Sequence, residues 1–200
     1  MVCRSGLCVS AVKRLLSGTG ALLSAAAAGL LCGRRQEPLP GWVTLHSCRQ
    51  TVTVRAESGG ETALLELSGG RLRLTGQNLL YESDSTWYVA DCFVFDADRD
   101  GADEVMLHVW KPGSFGQYQP FWREPDDKTV YSEHLFIYEW DAGKESRLKP
   151  RWMSSAMPVT GKTVRTDAKN AVHVLSVNGK ETVWNWSGWG LELEQTFLPQ

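Results

Sequence analysis

Short stretches of alternating apolar and polar residues dominate the chain after residue 41. Such a period of two is typical of β-strands, and Gly-Gly or Asn-Gly between two stretches is typical of a hairpin. Hairpins are predicted at Gly69-Gly70 and Asn178-Gly179, and Gly59-Gly60 is predicted to separate the preceding pair. The pattern predicts strands over residues 51–54, 63–67, 71–74, 87–90, 92–95, 104–110, 134–140, 171–177 and 181–186.

Helices are expected to be scarce, because hardly any stretch after residue 31 repeats its apolar residues every 3.6 positions. Residues 111–132 interrupt the strands with proline, glycine and aromatic residues, and we expect a long loop there. Loops of that length are usually functional or mobile. The fold class predicted from the pattern is all-β.

The N-terminus has the pattern of an export signal. Arg4, Lys13 and Arg14 precede an apolar run that ends at residue 31, and no acidic residue lies in this part. The run is marginal for a membrane span, which needs about 20 apolar residues. We therefore expect an export signal or N-terminal membrane anchor over residues 1–31, a tether over residues 32–40, and one extracytoplasmic domain over residues 41–200.

Cysteine usage leaves several outcomes open. Cys32 follows the apolar run and resembles the lipidation site of bacterial lipoproteins, although Leu31 is larger than the residue those signals place before the cysteine. The alanines at residues 26–28 offer an ordinary cleavage site instead. The signal is therefore lipidated, cleaved or retained. Lipidation or retention of the signal would attach the protein to a membrane. Cys48 and Cys92 either pair in an oxidising compartment or serve as small buried apolar residues.

The charge distribution argues against nucleic-acid binding. Three of the 21 basic residues and none of the 23 acidic residues lie in the first 31 positions, so the remainder carries a net charge of about −5. No basic stripe remains to neutralise phosphates. Nucleic acid is therefore not an expected partner.

An acidic loop carries the most specific chemical pattern in the chain. Calcium takes six to eight oxygen ligands, and acidic residues at alternate positions followed by glycine can supply them from one turn. We predict one structural calcium ion, with Gly101 permitting the turn and with these ligands: Asp96, Asp98, Asp100, the carbonyl of Ala102, and Glu104. The alternative is an ordinary acidic hairpin, but its carboxylates would repel one another without a cation.

The flanks decide which kind of calcium loop this is. An EF-hand has a helix on each side and glutamate at the twelfth position, whereas Leu107 stands there and both flanks are β-rich. The loop resembles that of FG-GAP and VCBS-type repeats, in which D-x-D-x-D-G-x-x-[D/E] joins two strands of a β-propeller blade. Residues 135–155 resemble the strand pair of a following blade. Residues 164–172 then resemble a degenerate second loop that keeps only Asp167 and Asn170.

This resemblance implies a calcium-stabilised, propeller-like domain. The length beyond the tether allows three or four repeats of blade size, fewer than in most propellers. We therefore expect a small or incomplete propeller-like array of antiparallel sheets, with a β-sandwich as the alternative.

Aromatic residues suggest where a ligand binds. Trp184 and Trp186 are two apart on one predicted strand face, which favours a place in the core. Five aromatic residues in or beside the long loop are candidates for recognising an unidentified protein or glycan: Trp110, Phe115, Tyr118, Phe121 and Trp122.

The sequence contains no nucleophile, metalloprotease or phosphate-loop motif, so we expect no enzyme. The predicted function is an exported, calcium-stabilised, non-catalytic binding or adhesion module at the bacterial cell surface. One alternative is a structural envelope lipoprotein. The other is a glycan hydrolase that uses a pair of carboxylates from this set: Glu124, Asp126, Asp127 and Glu133.

Overall fold

The computed structural model describes residues 39–56, 59–76, 79–116, 121, 130–141 and 147–199. These residues belong to one compact unit, Gln36–Gln200. The predicted export signal, Cys32 and most of the tether lie outside the described residues. Within the described ranges the chain forms strands and no helix, so the all-β prediction is confirmed. These ranges therefore contain no helix that is long and apolar enough to cross a membrane.

The strands form three four-stranded antiparallel sheets, each made of four consecutive strands, and none of the sheets closes on itself. Sheet 1 contains β1 (Cys48–Ala56), β2 (Gly59–Ser68), β3 (Arg71–Thr75) and β4 (Leu79–Glu82). Sheet 2 contains β5 (Tyr88–Phe95), β6 (Glu104–Pro112), β7 (Tyr131–Asp141) and β8 (Arg147–Met153). Sheet 3 contains β9 (Gly161–Thr166), β10 (Val172–Ser176), β11 (Glu181–Trp186) and β12 (Leu191–Phe197).

Two predicted hairpins are confirmed and one predicted turn is wrong. Gly69, Gly70 and Gly179 have φ angles of 56°, 76° and 82° in the turns between β2 and β3 and between β10 and β11. Such positive angles favour glycine. Gly59 and Gly60, by contrast, lie inside β2, because the ladder with the end of β1 extends through both of them.

Sheet 2 lies between two apolar cores. Along β6, Val105 and Leu107 belong to a core shared with sheet 1, whereas Met106 belongs to a core shared with sheet 3. In β7, Phe136 and Ile137 divide in the same way. Since successive side chains of a strand point to opposite faces, this sheet is apolar on both sides. This explains why residues 104–110 contain an apolar run instead of a strict alternation.

The predicted division into blades needs a correction. Residues 135–155 include β7 and β8, the third and fourth strands of sheet 2, whereas the sequence assigned them to a following repeat. The strand register shows that β7 belongs to sheet 2, since Val105 of β6 pairs with Tyr138 of β7. The predicted strands 87–90 and 92–95 likewise correspond to the single strand β5, which begins at Tyr88 and has a register shift between Val89 and Asp91. Strand pairing is a tertiary property, and the local pattern did not specify it.

The two loops singled out in the sequence occupy equivalent places. The acidic loop joins β5 to β6, the first two strands of sheet 2. The turn that contains Asp167 and Asn170 joins β9 to β10, the first two strands of sheet 3. Successive sheets therefore place an Asp-containing turn at the same step of the chain.

Candidate metal centre

The acidic loop brings three carboxylates together. One ligand oxygen each from Asp96, Asp98 and Glu104 lies within 4.8 Å of the others. Glu104 begins β6 and is only 3% exposed, and the two aspartates are half-buried. This is the one such group of three or more His, Cys, Asp or Glu ligands in the described part of the chain.

Backbone hydrogen bonds hold these carboxylates in place. The Gly101 amide donates to Asp96 Oδ2 at 3.1 Å, and the Ala97 amide donates to Glu104 Oε2 at 2.7 Å. The other oxygen of Asp96, Oδ1, is buried and has no hydrogen-bond partner. Burying a charged oxygen without a donor is costly, and a cation would satisfy it.

The remaining predicted residues of the loop contribute to its turn. Asp100 is exposed and outside the group of three, and its Oδ1 accepts a 2.8 Å hydrogen bond from the amide of Ala102, which is half-buried. Gly101 has a φ of 95°, as the predicted turn requires. Asp100 therefore shapes the turn, and its role as a calcium ligand stays a prediction.

The electrostatics of the loop favour a positive charge. Burial raises the pKa of Glu104 to about 7, and the negative charges of Asp98, Asp100 and Asp96 act in the same direction. The hydrogen bond from Ala97 opposes these effects. A cation among the oxygens would relieve both the repulsion and the burial penalty.

Two arginines connect the loop to its surroundings, and no motif in the sequence predicted either contact. Arg151 of β8 lies 3.3 Å from Asp98 Oδ2 and 3.3 Å from Glu139 Oε2, which offsets part of the negative charge. Arg99 lies within the acidic loop. It is exposed, but its Nη2 donates to the Lys169 carbonyl at 2.9 Å, in the β9–β10 turn. The loop therefore lies where sheets 2 and 3 meet.

The β9–β10 turn is closed by protein groups. Oδ1 of Asp167 accepts hydrogen bonds from the amides of Lys169 at 2.8 Å and Ala171 at 2.9 Å. Its Oδ2 lies 3.2 Å from Nε2 of His173. Asp167 is therefore occupied in stabilising a turn, and no cluster of metal ligands forms around it within the described residues.

The candidate ligand-binding aromatic residues differ in how exposed they are. Trp110 is 5% exposed, so its ring offers little surface, whereas Phe121 is 94% exposed and Phe115 is half-buried. Tyr118 and Trp122 lie outside the described residues. Trp184 and Trp186 pack against the core between sheets 2 and 3, as their spacing predicted.

A separate aromatic groove lies beside the loop. It has a volume of about 300 Å³, and its lining includes Trp152, Trp189, Arg151 and Ser155. Trp189 is 74% exposed, in the β11–β12 turn, where the Ser187 amide donates to the Gly190 carbonyl at 2.8 Å. Arg151 thus contacts the groove as well as Asp98 of the acidic loop.

The carboxylates proposed for hydrolysis do not form a loop pair in the described residues. Glu133 is in β7 and 5% exposed, and its Oε1 lies 2.8 Å from His108 Nε2. Its Oε2 accepts a hydrogen bond from the Gly161 amide. Glu124, Asp126 and Asp127 lie outside the described residues. Glu133 is therefore a buried structural residue.

Comparison with known proteins gives no assignment, since no family model and no curated protein matches this chain.

Proposed function

We propose that this chain is an exported, calcium-stabilised, non-catalytic binding or adhesion module of the bacterial cell surface. One observation carries the calcium proposal: Asp96, Asp98 and Glu104 converge, and one Asp96 oxygen is buried without a donor. Calcium prefers carboxylate oxygens and tolerates irregular geometry, so it fits this group better than a softer metal.

We further propose a small, incomplete propeller-like array of the FG-GAP/VCBS type. Three consecutive four-stranded meanders and the equivalent positions of the two Asp-containing turns support a repeated unit. Propellers usually have four to eight blades, so three sheets would be a partial ring. Export and membrane attachment rest on the pattern of residues 1–32.

The role of calcium in this proposal is structural. The ion would hold the β5–β6 connection, which Arg151 and Arg99 link to its neighbours. A ligand that binds only the folded state at 100 times its Kd adds about 2.7 kcal/mol. For a domain of this size, that corresponds to a rise of about 5 to 11 °C in Tm.

Calcium titration calorimetry, with thermal melts in calcium and in chelator, tests this role. We expect saturable binding of about one ion and a higher Tm in calcium. Asp96→Asn should abolish both, because it removes a charge from the cluster. The matched control is Asp167→Asn in the equivalent turn, which should leave the calcium-dependent Tm difference intact. No saturable heat, with equal melts in both conditions, would reduce the loop to an acidic hairpin.

The ligand surface we propose is the groove lined by Trp152, Trp189 and Arg151. Indole rings stack on the apolar faces of sugars, and a guanidinium and a hydroxyl can hydrogen-bond to sugar hydroxyls, so a glycan fits this lining. Glycan-array binding that Trp189→Ala removes and Phe121→Ala preserves would support the groove. The reverse would favour the long loop, and turnover of a bound glycan would favour a hydrolase.

A further inference from the structure

Two cysteines from different sheets lie side by side. Cys48 begins β1 in sheet 1 and Cys92 lies in β5 of sheet 2. Both are half-buried and pack against the core that the two sheets share. Each thiol is the largest influence on the pKa of the other, and neither cysteine is in a disulfide.

The chain segments that precede Cys48 and Cys92 also contact each other. The amide of His46 donates to the carbonyl of Ala90 at 2.9 Å, and His46 Nε2 lies 4.0 Å from Asp91 Oδ2. The cysteines come two residues later in each segment, and both are in strand ladders, Cys48 opposite Leu67 and Cys92 opposite Leu107. The main-chain contact therefore places the two cysteines in neighbouring segments of sheets 1 and 2.

We propose that Cys48 and Cys92 form a disulfide that joins sheet 1 to sheet 2 when the protein meets a disulfide-bearing thiol oxidant. A disulfide needs two side chains that face each other at short range, and the contact between the two segments and the core that both cysteines share support such an arrangement. This inference is independent of calcium binding. It also selects one of the two roles that the sequence left open for these residues.

The exchange is balanced in atoms and electrons. The Cys48 thiolate attacks one sulfur of the oxidant disulfide, and the other oxidant sulfur leaves as a thiolate. The Cys92 thiol loses its proton and attacks the Cys48 sulfur of this mixed disulfide, which expels the second oxidant thiolate. Two protein thiols are oxidised and one oxidant disulfide is reduced to two thiols.

Cys48 is suited to be the attacking group. The hydrogen bond from Cys92 lowers the pKa of Cys48 to about 7, although burial and the charge of Asp91 oppose this. A large share of Cys48 is then thiolate at neutral pH, and the thiolate is the nucleophile. The same surroundings raise the pKa of Cys92, which favours it as the second thiol to react.

The disulfide should stabilise the domain measurably. It would close a long chain segment that contains all of β1 to β4, and the entropy removed from the unfolded chain grows with the length of that segment. For a domain of this size we expect the Tm to rise by about 8 to 16 °C on oxidation.

Oxidation of the full chain with oxidised glutathione, followed by non-reducing tryptic mass mapping, tests the proposal. Trypsin releases Cys48 in residues 36–49 and Cys92 in residues 74–99, so the crosslinked pair has a unique mass. We expect that crosslinked peptide, together with a raised Tm that reductant reverses. Cys48→Ser and Cys92→Ser are matched controls, and neither should show the redox-dependent Tm difference.

Two results would overturn the proposal: the absence of the crosslinked peptide after complete oxidation, or Cys48 linked to Cys32 in its place. The peptide map needs only the parent protein, so it decides the matter even if a serine variant fails to fold.

Discussion

Replacing Glu133 with alanine should strongly destabilise the contact between sheets 2 and 3. Glu133 lies in β7, and its carboxylate joins His108 of β6 at 2.8 Å and the Gly161 amide at the start of β9 at 2.5 Å. The side chains of Glu133 and His108 are 4% and 6% exposed. Both side chains are therefore largely shielded from bulk water.

The magnitude follows from this burial. Removing one partner of a buried pair costs about 3 to 5 kcal/mol, because the remaining polar group stays buried without its partner. In a domain of this size the Tm should fall by about 6 to 20 °C. Glu133→Gln should cost less, because its amide oxygen can still accept the hydrogen bond from Gly161.

Urea unfolding followed by tryptophan fluorescence measures the effect, since the chain contains nine tryptophans. The matched control is Glu139→Ala in the same strand, because the partners of Glu139, Lys149 and Arg151, are exposed. Exposed ion pairs contribute at most about 1 kcal/mol. Equal losses for Glu133→Ala and Glu139→Ala would refute the reasoning about the buried pair.

Three further predictions test the cores. Gly161→Ala should lower the free energy of unfolding in urea by about 1 to 3 kcal/mol, because the new Cβ would collide with the Glu133 carboxylate and lie 2.9 Å from Val174 Cγ1. Its control is Gly41→Ala, which should be neutral because the new Cβ meets nothing within 4 Å. Leu107→Ala should lower the free energy of unfolding by about 2 to 5 kcal/mol, because this side chain is 0% exposed. Leu193 is 49% exposed, so Leu193→Ala should cost much less. Equal losses would contradict the assigned core. Burial lowers the pKa of His134 in the folded protein, whereas an unfolded histidine has a pKa of about 6.5. Because the unfolded chain then binds the proton more tightly, the stability should fall as the pH drops through that value. Melts from pH 7 to 5 should show a shallower decline in His134→Gln, and an unchanged slope would count against this assignment.

Local chemistry made the hairpins predictable. Gly69-Gly70 and Asn178-Gly179 stand between alternating stretches, and their backbone angles are set within a few residues, so the sequence specified these turns. Gly59-Gly60 misled the prediction because the same dipeptide fits inside a strand when the partner strand extends far enough.

The acidic loop was predictable in part. Alternate aspartates before a glycine predicted convergent oxygens, and Asp96, Asp98 and Glu104 do converge. The spacing placed Asp100 among the ligands, but it did not predict the hydrogen bond that Asp100 accepts from the loop backbone. It also gave no sign of Arg151, which is 53 residues from Asp98 in the chain.

The sequence by itself determined the all-β class, the tightest turns and the position of the acidic loop, because these depend on side-chain alternation and on backbone freedom over a few residues. Only the tertiary structure decided that the strands group in consecutive fours and that sheet 2 is buried on both faces. It also decided that Cys48 meets Cys92 and that Glu133 lies in the interior. These contacts join residues far apart in the chain, so they depend on how whole sheets pack, which a local pattern does not encode.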